Sequence, residues 1–336
     1  MRAVQLSPVW DATVVEVPDP RIERPGDAIV GVSLASICGS DLRVPPIAQS
    51  RPGHEFVGTI VEVGPDVRKF RVGDRVVGAC VAGCGDCPAC RRGDPLSCAA
   101  WRVFGEEEDL PGGQAELVRV PGADLHLVAQ GSLPEEVAIL LSDTLPSAWL
   151  AVRAASISAG GDVLVIGLGP VGLCSVLCAL EQGAGAVFAV DPNPVRAALA
   201  RSFGATLLDP AAPVAEQVRS VTGKRAGSVI EAVGNKDTVA AALDSAGTRG
   251  TVVVIGQVVL PEIAVPFHRI GARSLTVRGL VCAPSPVWPE AVPLATRLQD
   301  DLASIVNRRG SLDEAPDIYR ALRGPAPSIV KAVLRP

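Results

Sequence analysis

One stretch constrains the fold of this chain more than any other. Val163-Leu164-Val165-Ile166 is a short β-branched run, Gly167-Leu168-Gly169-Pro170-Val171-Gly172 follows it directly, and an apolar helix then lasts until Gly183. A second run, Val187-Phe188-Ala189-Val190, ends in Asp191, nineteen residues after the last glycine of the motif. A three-glycine motif alone says little, but with a strand before it, a helix after it and an acid at this distance it marks a unit built to hold a dinucleotide. The glycines let the backbone approach a pyrophosphate, and the helix amino end supplies N–H groups and a positive dipole end. Asp191 is placed to accept hydrogen bonds from the adenosine ribose and to repel a 2'-phosphate, which favours NAD over NADP. Its alternative role is a plain helix N-cap before Pro192-Asn193-Pro194.

Strands and helices go on alternating. Thr206 to Leu208, Ser228 to Glu231, Thr251 to Ile255 and Leu275 to Val277 read as strands, with helices at Val214 to Val221 and Asp237 to Ala246. This pattern predicts a parallel, doubly wound sheet. Cys174 and Cys178 fall on one face of its first helix and read as core. Residues 1 to 37 differ: short alternating pieces such as Ala28-Ile29-Val30-Gly31-Val32 are broken by Pro18, Pro20, Pro25 and Gly26, and Val57 to Val63, Arg75 to Ala79 and Leu117 to Val120 continue the pattern. That is a mainly β domain. Glu135 to Leu150 reads as one apolar helix-like stretch, Glu290 to Arg308 as a helix and Ile329 to Leu334 as a closing strand.

Four cysteines carry the most specific signal. Cys84, Cys87, Cys90 and Cys98 are separated by two, two and seven residues within a Gly- and Pro-bearing loop. Four thiolates so close can surround one tetrahedral zinc, and a site closed in this way leaves no position for chemistry. Four free cysteines in a polar loop, or a nucleic-acid zinc knuckle, are the alternatives; the net charge of -5, with no long basic run, argues against the knuckle. Cys80 lies just outside the set and reads as a strand residue.

Two further motifs can hold a second metal. Cys38-Gly39-Ser40-Asp41 is followed by Gly53-His54-Glu55-Phe56, with the histidine sixteen residues after the cysteine. Thiolate and imidazole both suit zinc, and a working site needs three protein ligands and one open position. Alone the pair is also compatible with unrelated core or surface residues. Ser142-Asp143-Thr144 sets an acid amid Ala138-Ile139-Leu140-Leu141 and Leu145-Pro146. An unpaired buried carboxylate is costly, so Asp143 is either paired with a metal or is an ordinary cap or turn acid. Of the other histidines, His126 and His268 read as surface or turn residues, and Trp101, Trp149 and Trp288 as core.

Composition limits the remaining possibilities. With 336 residues, 48% hydrophobic and 20% charged, the chain is sized for two globular domains. No signal-peptide core or membrane-length apolar run is present, and a nucleic-acid or membrane partner is not indicated, so a cytoplasmic location is expected.

Taken together, Cys38-Gly39-Ser40-Asp41, Gly53-His54-Glu55, the four-cysteine lobe, Ser142-Asp143-Thr144-Leu145-Pro146 and Gly167-Leu168-Gly169-Pro170-Val171-Gly172 resemble the zinc-dependent alcohol dehydrogenases of the medium-chain dehydrogenase/reductase family, over essentially the whole chain. The resemblance implies an α/β fold: a GroES-like β-rich catalytic domain over residues 1–148 with a structural zinc lobe at 80–100, a Rossmann domain over 149–282, and a C-terminal return over 283–336, with an active site between the domains. It implies two zinc ions per chain, one held by Cys38, His54 and Asp143 and one by the four cysteines, together with NAD. Glu55 matches a neighbour that approaches the catalytic ion, Asp41 an acid that orients His54, and Ser40 the residue that takes the proton from an alcohol. Ser147, Val233, Ile255 and Val281 match positions lining the nicotinamide, and Arg196 flanks the adenine ribose or is a solvated helix arginine.

The implied activity is hydride transfer between NAD and a primary or secondary alcohol, including polyols, sugars or aminocyclitols, in a homodimer or homotetramer that pairs the edge at Leu275 to Val277. A catalytic-zinc-free enone or quinone reductase and a non-catalytic NAD-sensing zinc protein are the other readings. Three features depart from the family pattern. Arg43 stands where a histidine often completes the proton relay, the link from Asp41 to Gly53 is short, which implies an open pocket, and Ala148 replaces a common glycine.

Overall fold

The structure is a computed structural model that describes residues 1–43, 50–258, 262–281, 284–324 and 328–336. Two compact units divide the chain, one formed by Met1–Pro146 with Ala283–Pro336 and the other by Ser147–Cys282.

The first unit is built on a seven-stranded sheet. Its order is Val306–Ser311, Lys331–Arg335, Ala28–Ile37, Phe56–Val63, Arg75–Gly78 and Leu127–Ala129, with Leu117–Val120 also pairing with Ala28–Ile37. The long strand Ala28–Ile37 is the hub because its β-branched and small residues are buried almost throughout, which suits a strand covered on both faces. Phe56 and Phe104 meet edge to face at 5.4 Å in the core with Val30, Ile60, Val76 and Leu110. Each such buried side chain stabilises the unit by about 1.5–3 kcal/mol. The C-terminal strand Lys331–Arg335 lies antiparallel to Ala28–Ile37, with Ala332 opposite Ile37. Residues near the end of the chain are thereby brought to the segment that carries Cys38.

The second unit is a six-stranded, wholly parallel sheet in the order Thr206–Leu207, Ala186–Val190, Asp162–Ile166, Ala226–Glu231, Ala246–Val254 and Thr276–Gly279. By chain position this is 3-2-1-4-5-6, the dinucleotide-binding arrangement, whose switch point lies beside Asp162–Ile166. Its core gathers Leu164, Phe188, Val190, Val229 and Val252. The last strand lies at the sheet edge, as expected, and its four residues are exposed.

Several expectations are corrected. The stretch from Glu135 to Leu150 is not one helix: Glu135–Ala138 runs into a short 3-10 turn, Ile139–Ser142, and a new helix begins at Thr144 after Asp143, whose φ of -154° leaves the helical range. The run from Glu290 to Arg308 divides at Leu298 into the helices Trp288–Arg297 and Gln299–Ile305, and residues from Val306 form a strand. Trp288 is core and donates its indole N–H to the Leu141 carbonyl at 2.8 Å, but Trp101 is 41% exposed. His126 is fully buried, whereas His268 is exposed. Among the described residues no single helix is long and apolar enough to cross a membrane.

Candidate metal centres and nucleotide loop

The four-cysteine lobe folds around its own sulfurs. Cys87 caps the short helix Pro88–Arg91 and accepts the Cys90 N–H at 3.5 Å; Cys84 accepts from Cys87 N–H and Cys98 from Cys84 N–H, both at 3.4 Å. All four sulfurs lie within 4.8 Å of one another, and Cys84 and Cys90 are 4.0 Å apart. Sulfurs about 2.3 Å from a tetrahedral zinc stand about 3.8 Å from each other, so the donor set fits that ion. Electrostatics agree: the Cys90 amide draws the Cys87 thiol down to about 6, while burial pushes Cys90 up to about 12. Four thiolates at this spacing repel one another, and a cation at their centre relieves that repulsion. His126, expected at the surface, is tied to this lobe. Its Nε2 accepts the Gly83 N–H at 2.9 Å and its Nδ1 donates to the Pro121 carbonyl at 2.6 Å, so it is held neutral, with burial lowering its pKa to about 4.

The second cluster joins residues from three separate places in the first unit. Cys38 follows the hub strand, and its N–H donates to Asp41 Oδ2 at 2.9 Å. His54 sits at the entry to the strand Phe56–Val63, just after Gly53, whose φ of +108° favours glycine. Asp143 occupies the break between two helices, where the Ser142 carbonyl accepts from Cys80 N–H at 3.1 Å and Ser142 Oγ donates to the Phe56 carbonyl at 3.2 Å. One donor atom each from Cys38, His54, Glu55 and Asp143 lies within 4.8 Å of the others.

His54 Nε2 stands 3.8 Å from Asp143 Oδ2. That is too far for a hydrogen bond and close to the separation of two ligands on one zinc. Its other nitrogen, Nδ1, is buried without a hydrogen-bond partner among the described residues, 3.7 Å from Asp41 Oδ1. Burial works against a charged imidazole, but Cys38, Asp41 and Glu55 outweigh it and hold the His54 pKa well above 6.5. A ring of acids with an imidazole at its centre is a place that favours a cation, and sulfur, nitrogen and oxygen donors together suit zinc. Ser40 Oγ is likewise buried without a partner among the described residues. Most of the short link after Asp41, residues 44–49, lies outside the described residues.

Sequence reasoning missed what holds Glu55. Its carboxylate accepts from Thr144 Oγ1 at 3.0 Å, from Ser36 Oγ and from Lys331 Nζ, and the Glu55 and Lys331 side chains are 0% and 2% exposed. The Ser36 N–H also donates to the Glu55 carbonyl at 3.0 Å. Nothing local marks Lys331, since its partner lies 276 residues away.

In the second unit, the glycine loop has the shape its motif predicts. A Cβ on Gly172 would lie 1.9 Å from the Gly167 carbonyl oxygen, so the first helical turn can close on the strand end only with glycine there. Gly169 caps the helix Pro170–Glu181, whose first turn has no side-chain cap, and nothing lies within 4 Å of the position its Cβ would take. The site therefore leaves an open helix amino end for a pyrophosphate. Asp191 is not the N-cap of the next helix; Asn193 is. Asp191 accepts the Leu168 N–H and the Asn193 N–H, each at 2.7 Å, and Arg196 Nη1 lies 4.0 Å from it.

Val233 packs beside Gly167, held by a turn in which buried Glu231 accepts N–H bonds from Val233 and Gly234 at 2.9 Å; the Glu231 carbonyl accepts from Ile255 at 2.9 Å. Glu231 is a second residue that sequence reasoning passed over. Ser147 is buried on the helix Thr144–Ala154, while Val281 is 61% exposed.

Residues 24–130 match the family model of the alcohol dehydrogenase GroES-like domain, and residues 170–297 that of the zinc-binding dehydrogenases. A probable zinc-binding alcohol dehydrogenase of Mycobacterium tuberculosis is 39% identical, covering 100% of this chain and 89% of that protein. The solved alcohol dehydrogenase TADH from Thermus sp. ATN1 superposes with a TM-score of 0.92 at 34% identity, over 100% of this chain and 99% of that one. A structure of a zinc-binding dehydrogenase from Sinorhizobium meliloti bound to NADP aligns with a TM-score of 0.82 at 30% identity, over 100% of this chain and 99% of that one.

Proposed function

We propose that this chain, which belongs to the zinc-type alcohol dehydrogenases of the medium-chain dehydrogenase/reductase family, oxidises a primary or secondary alcohol with NAD, or reduces the matching ketone or aldehyde. The carrying observation is the cluster of Cys38, His54, Glu55 and Asp143, with a buried His54 whose two nitrogens face Asp143 and Asp41. Cys38, His54 and Asp143 would hold a zinc ion, which would supply a Lewis acid for the alcohol oxygen, and the glycine loop would hold NAD, which would supply the hydride acceptor.

The residues then have separate tasks. Asp41 stands 3.7 Å from His54 Nδ1, on the side away from Asp143, where it would orient the ring once the metal draws Nε2. Glu55, anchored by Lys331, Ser36 and Thr144, adds a carboxylate that can approach the ion from the buried side. Ser40 takes the substrate hydroxyl proton at Oγ, which has no competing partner among the described residues. Arg43 carries only N–H donors and offers no acceptor, so the relay beyond Ser40 runs to solvent or through another group. The loop from Gly167 to Gly172 takes the pyrophosphate, Val233 and Ile255 bound the nicotinamide side, and Asp191 with Arg196 takes the adenosine ribose. Asp191 supports NAD over NADP because a carboxylate there repels a 2'-phosphate. Polyols, sugars and aminocyclitols fall within the substrate class. The exposed edge strand Thr276–Gly279 supports a homodimer or homotetramer, and a monomer mass by light scattering would exclude that assembly.

The test is zinc content per chain of the wild type and Asp143→Ala, beside NAD and NADP reduction with a panel of alcohols. Two zincs falling to one, with loss of turnover, supports the dehydrogenase. One zinc in both proteins leaves only the four-cysteine lobe filled and favours a zinc-free reductase. Bound NAD without turnover favours a sensor.

A further inference from the structure

Gly112-Gly113-Gln114 forms no part of either metal cluster, yet it is bonded to the segment that presents His54. Gly112 N–H donates to the Arg51 carbonyl at 2.8 Å, Gly113 N–H to the Gly53 carbonyl at 2.6 Å and Gln114 N–H to the Pro52 carbonyl at 3.1 Å. A Cβ on Gly53 would lie 2.5 Å from Gln114 N, so the two backbones are in the closest contact glycine allows. The Gln114 side chain, 1% exposed, then points into the space behind the cluster. Its Nε2 donates to the Ser36 carbonyl at 3.1 Å and faces Asp41 Oδ2 at 3.5 Å. Its Oε1 accepts from the hydroxyl of Tyr319 at 3.0 Å.

We infer that Tyr319 and Gln114 are positioning residues for the catalytic metal site: the Tyr319 hydroxyl fixes which end of the Gln114 amide faces Asp41, and Asp41 in turn holds the His54 ring. This rests on the reading of Cys38, His54 and Asp143 as metal ligands.

The argument is one of donors and acceptors. Ser36 O and Asp41 Oδ2 only accept, so the amide must turn its NH2 group toward them. That leaves Oε1 facing Tyr319, whose phenolic O–H is the donor it receives among the described residues. Tyr319 is 1% exposed on the helix Ala315–Leu322, packed with Val4, Leu6, Ile37 and Leu334, and cannot swing away. At the other end, His54 Nδ1 and Asp41 Oδ1 are 3.7 Å apart, just outside hydrogen-bond reach, so a displacement of Asp41 by under about 1 Å decides whether the contact that orients the ring can form when the metal is bound. Cys38 N–H and Gln114 Nε2 both face Asp41 Oδ2, which leaves Oδ1 turned toward His54; a carboxylate held at Oδ2 by Cys38 alone can pivot.

The experiment is competition for zinc by chelators of graded strength, on wild type, Asp143→Ala, Tyr319→Phe, Gln114→Leu and the double variant Tyr319→Phe/Gln114→Leu. The equivalent missing from Asp143→Ala identifies the catalytic site, and the four-cysteine equivalent is the internal control. Tyr319→Phe, which keeps the ring, is expected to weaken the catalytic equivalent about tenfold, and Gln114→Leu by about ten- to a hundredfold. The double variant should lose no more than Gln114→Leu alone, because Tyr319 acts only through Gln114. The inference is overturned if Tyr319→Phe binds the catalytic zinc like wild type, if the two losses multiply, or if both zinc equivalents weaken equally. One zinc per chain in the wild type removes the underlying reading and the inference with it.

Discussion

Replacing Lys331 with methionine tests whether Glu55 is held as a charge. The methionine keeps most of the apolar stem and removes the ammonium. Glu55, 0% exposed, keeps the hydroxyls of Ser36 and Thr144 as donors but loses its only cation among the partners the structure assigns it. Burial acts to lower the Lys331 pKa, yet the adjacent Glu55 and Cys38 charges outweigh it and raise the value, so the Lys331 ammonium stays charged in the fold. Breaking one side of a sealed ion pair typically costs about 3–5 kcal/mol, most of it from the charge left behind. Two hydroxyl bonds at about 1 kcal/mol each do not make up that loss. A double variant, Lys331→Met with Glu55→Gln, removes both members of the pair and should recover all but about 1–2 kcal/mol.

Hydrogen exchange on the peptide covering Lys331–Arg335 reads this directly, since those amides belong to the strand beside Ala28–Ile37. A loss of 3 kcal/mol speeds exchange by about a hundredfold where opening limits it. The single variant should also lose less stability when both metal sites are loaded than after chelation, because a dication within the cluster partly replaces the missing ammonium. An effect below about 1 kcal/mol, or a double variant as damaged as the single one, would refute the account of Glu55 as a charge that needs Lys331.

What the sequence disclosed follows from how far apart the partners lie. The glycine loop and the four-cysteine lobe are each contained in one short segment, so spacing alone carried their geometry. Asp143 was visible as an acid in an apolar run, but the helix break that presents it was not, because three polar residues between Leu141 and Leu145 fit within a helix as well as they fit a turn. Val306–Ser311 lacks strand alternation and reads as the end of a helix; its identity is supplied by pairing with Lys331–Arg335. Tyr319 and Gln114 are 205 residues apart, so neither marks the other in the sequence. Lys331 likewise resembles a solvated strand lysine until the C-terminal strand is placed beside the hub, and His126 reads as a turn residue until the lobe closes over it.

Three further outcomes are expected. Asp191→Ala should raise the use of NADP relative to NAD by tenfold or so, measured as the ratio of kcat/KM for the two cofactors, because it removes the charge that faces the ribose and frees the Leu168 N–H. An unchanged ratio would count against that placement. Gly172→Ala should abolish NAD binding in calorimetry, since its Cβ would meet the Gly167 carbonyl oxygen at 1.9 Å; retained binding would mean the turn does not close as described. His126 predicts an acid-dependent loss of stability. Its folded pKa, lowered by burial to about 4, lies below the 6.5 of an unperturbed histidine, so its contribution is complete above pH 6.5 and is lost as pH falls toward 4, when the unfolded chain binds the proton first. The full span is worth about 3 kcal/mol at about 1.4 kcal/mol per pH unit. A proton on Nε2 would also displace the Gly83 N–H, one residue from Cys84, so the lobe should loosen over the same range. Urea unfolding of wild type and His126→Asn from pH 7.5 to 4.5 isolates the effect, because other acid-sensitive groups are common to both proteins: the gap between them should shrink as pH falls, and a gap independent of pH would show that His126 is not buried neutral against the lobe.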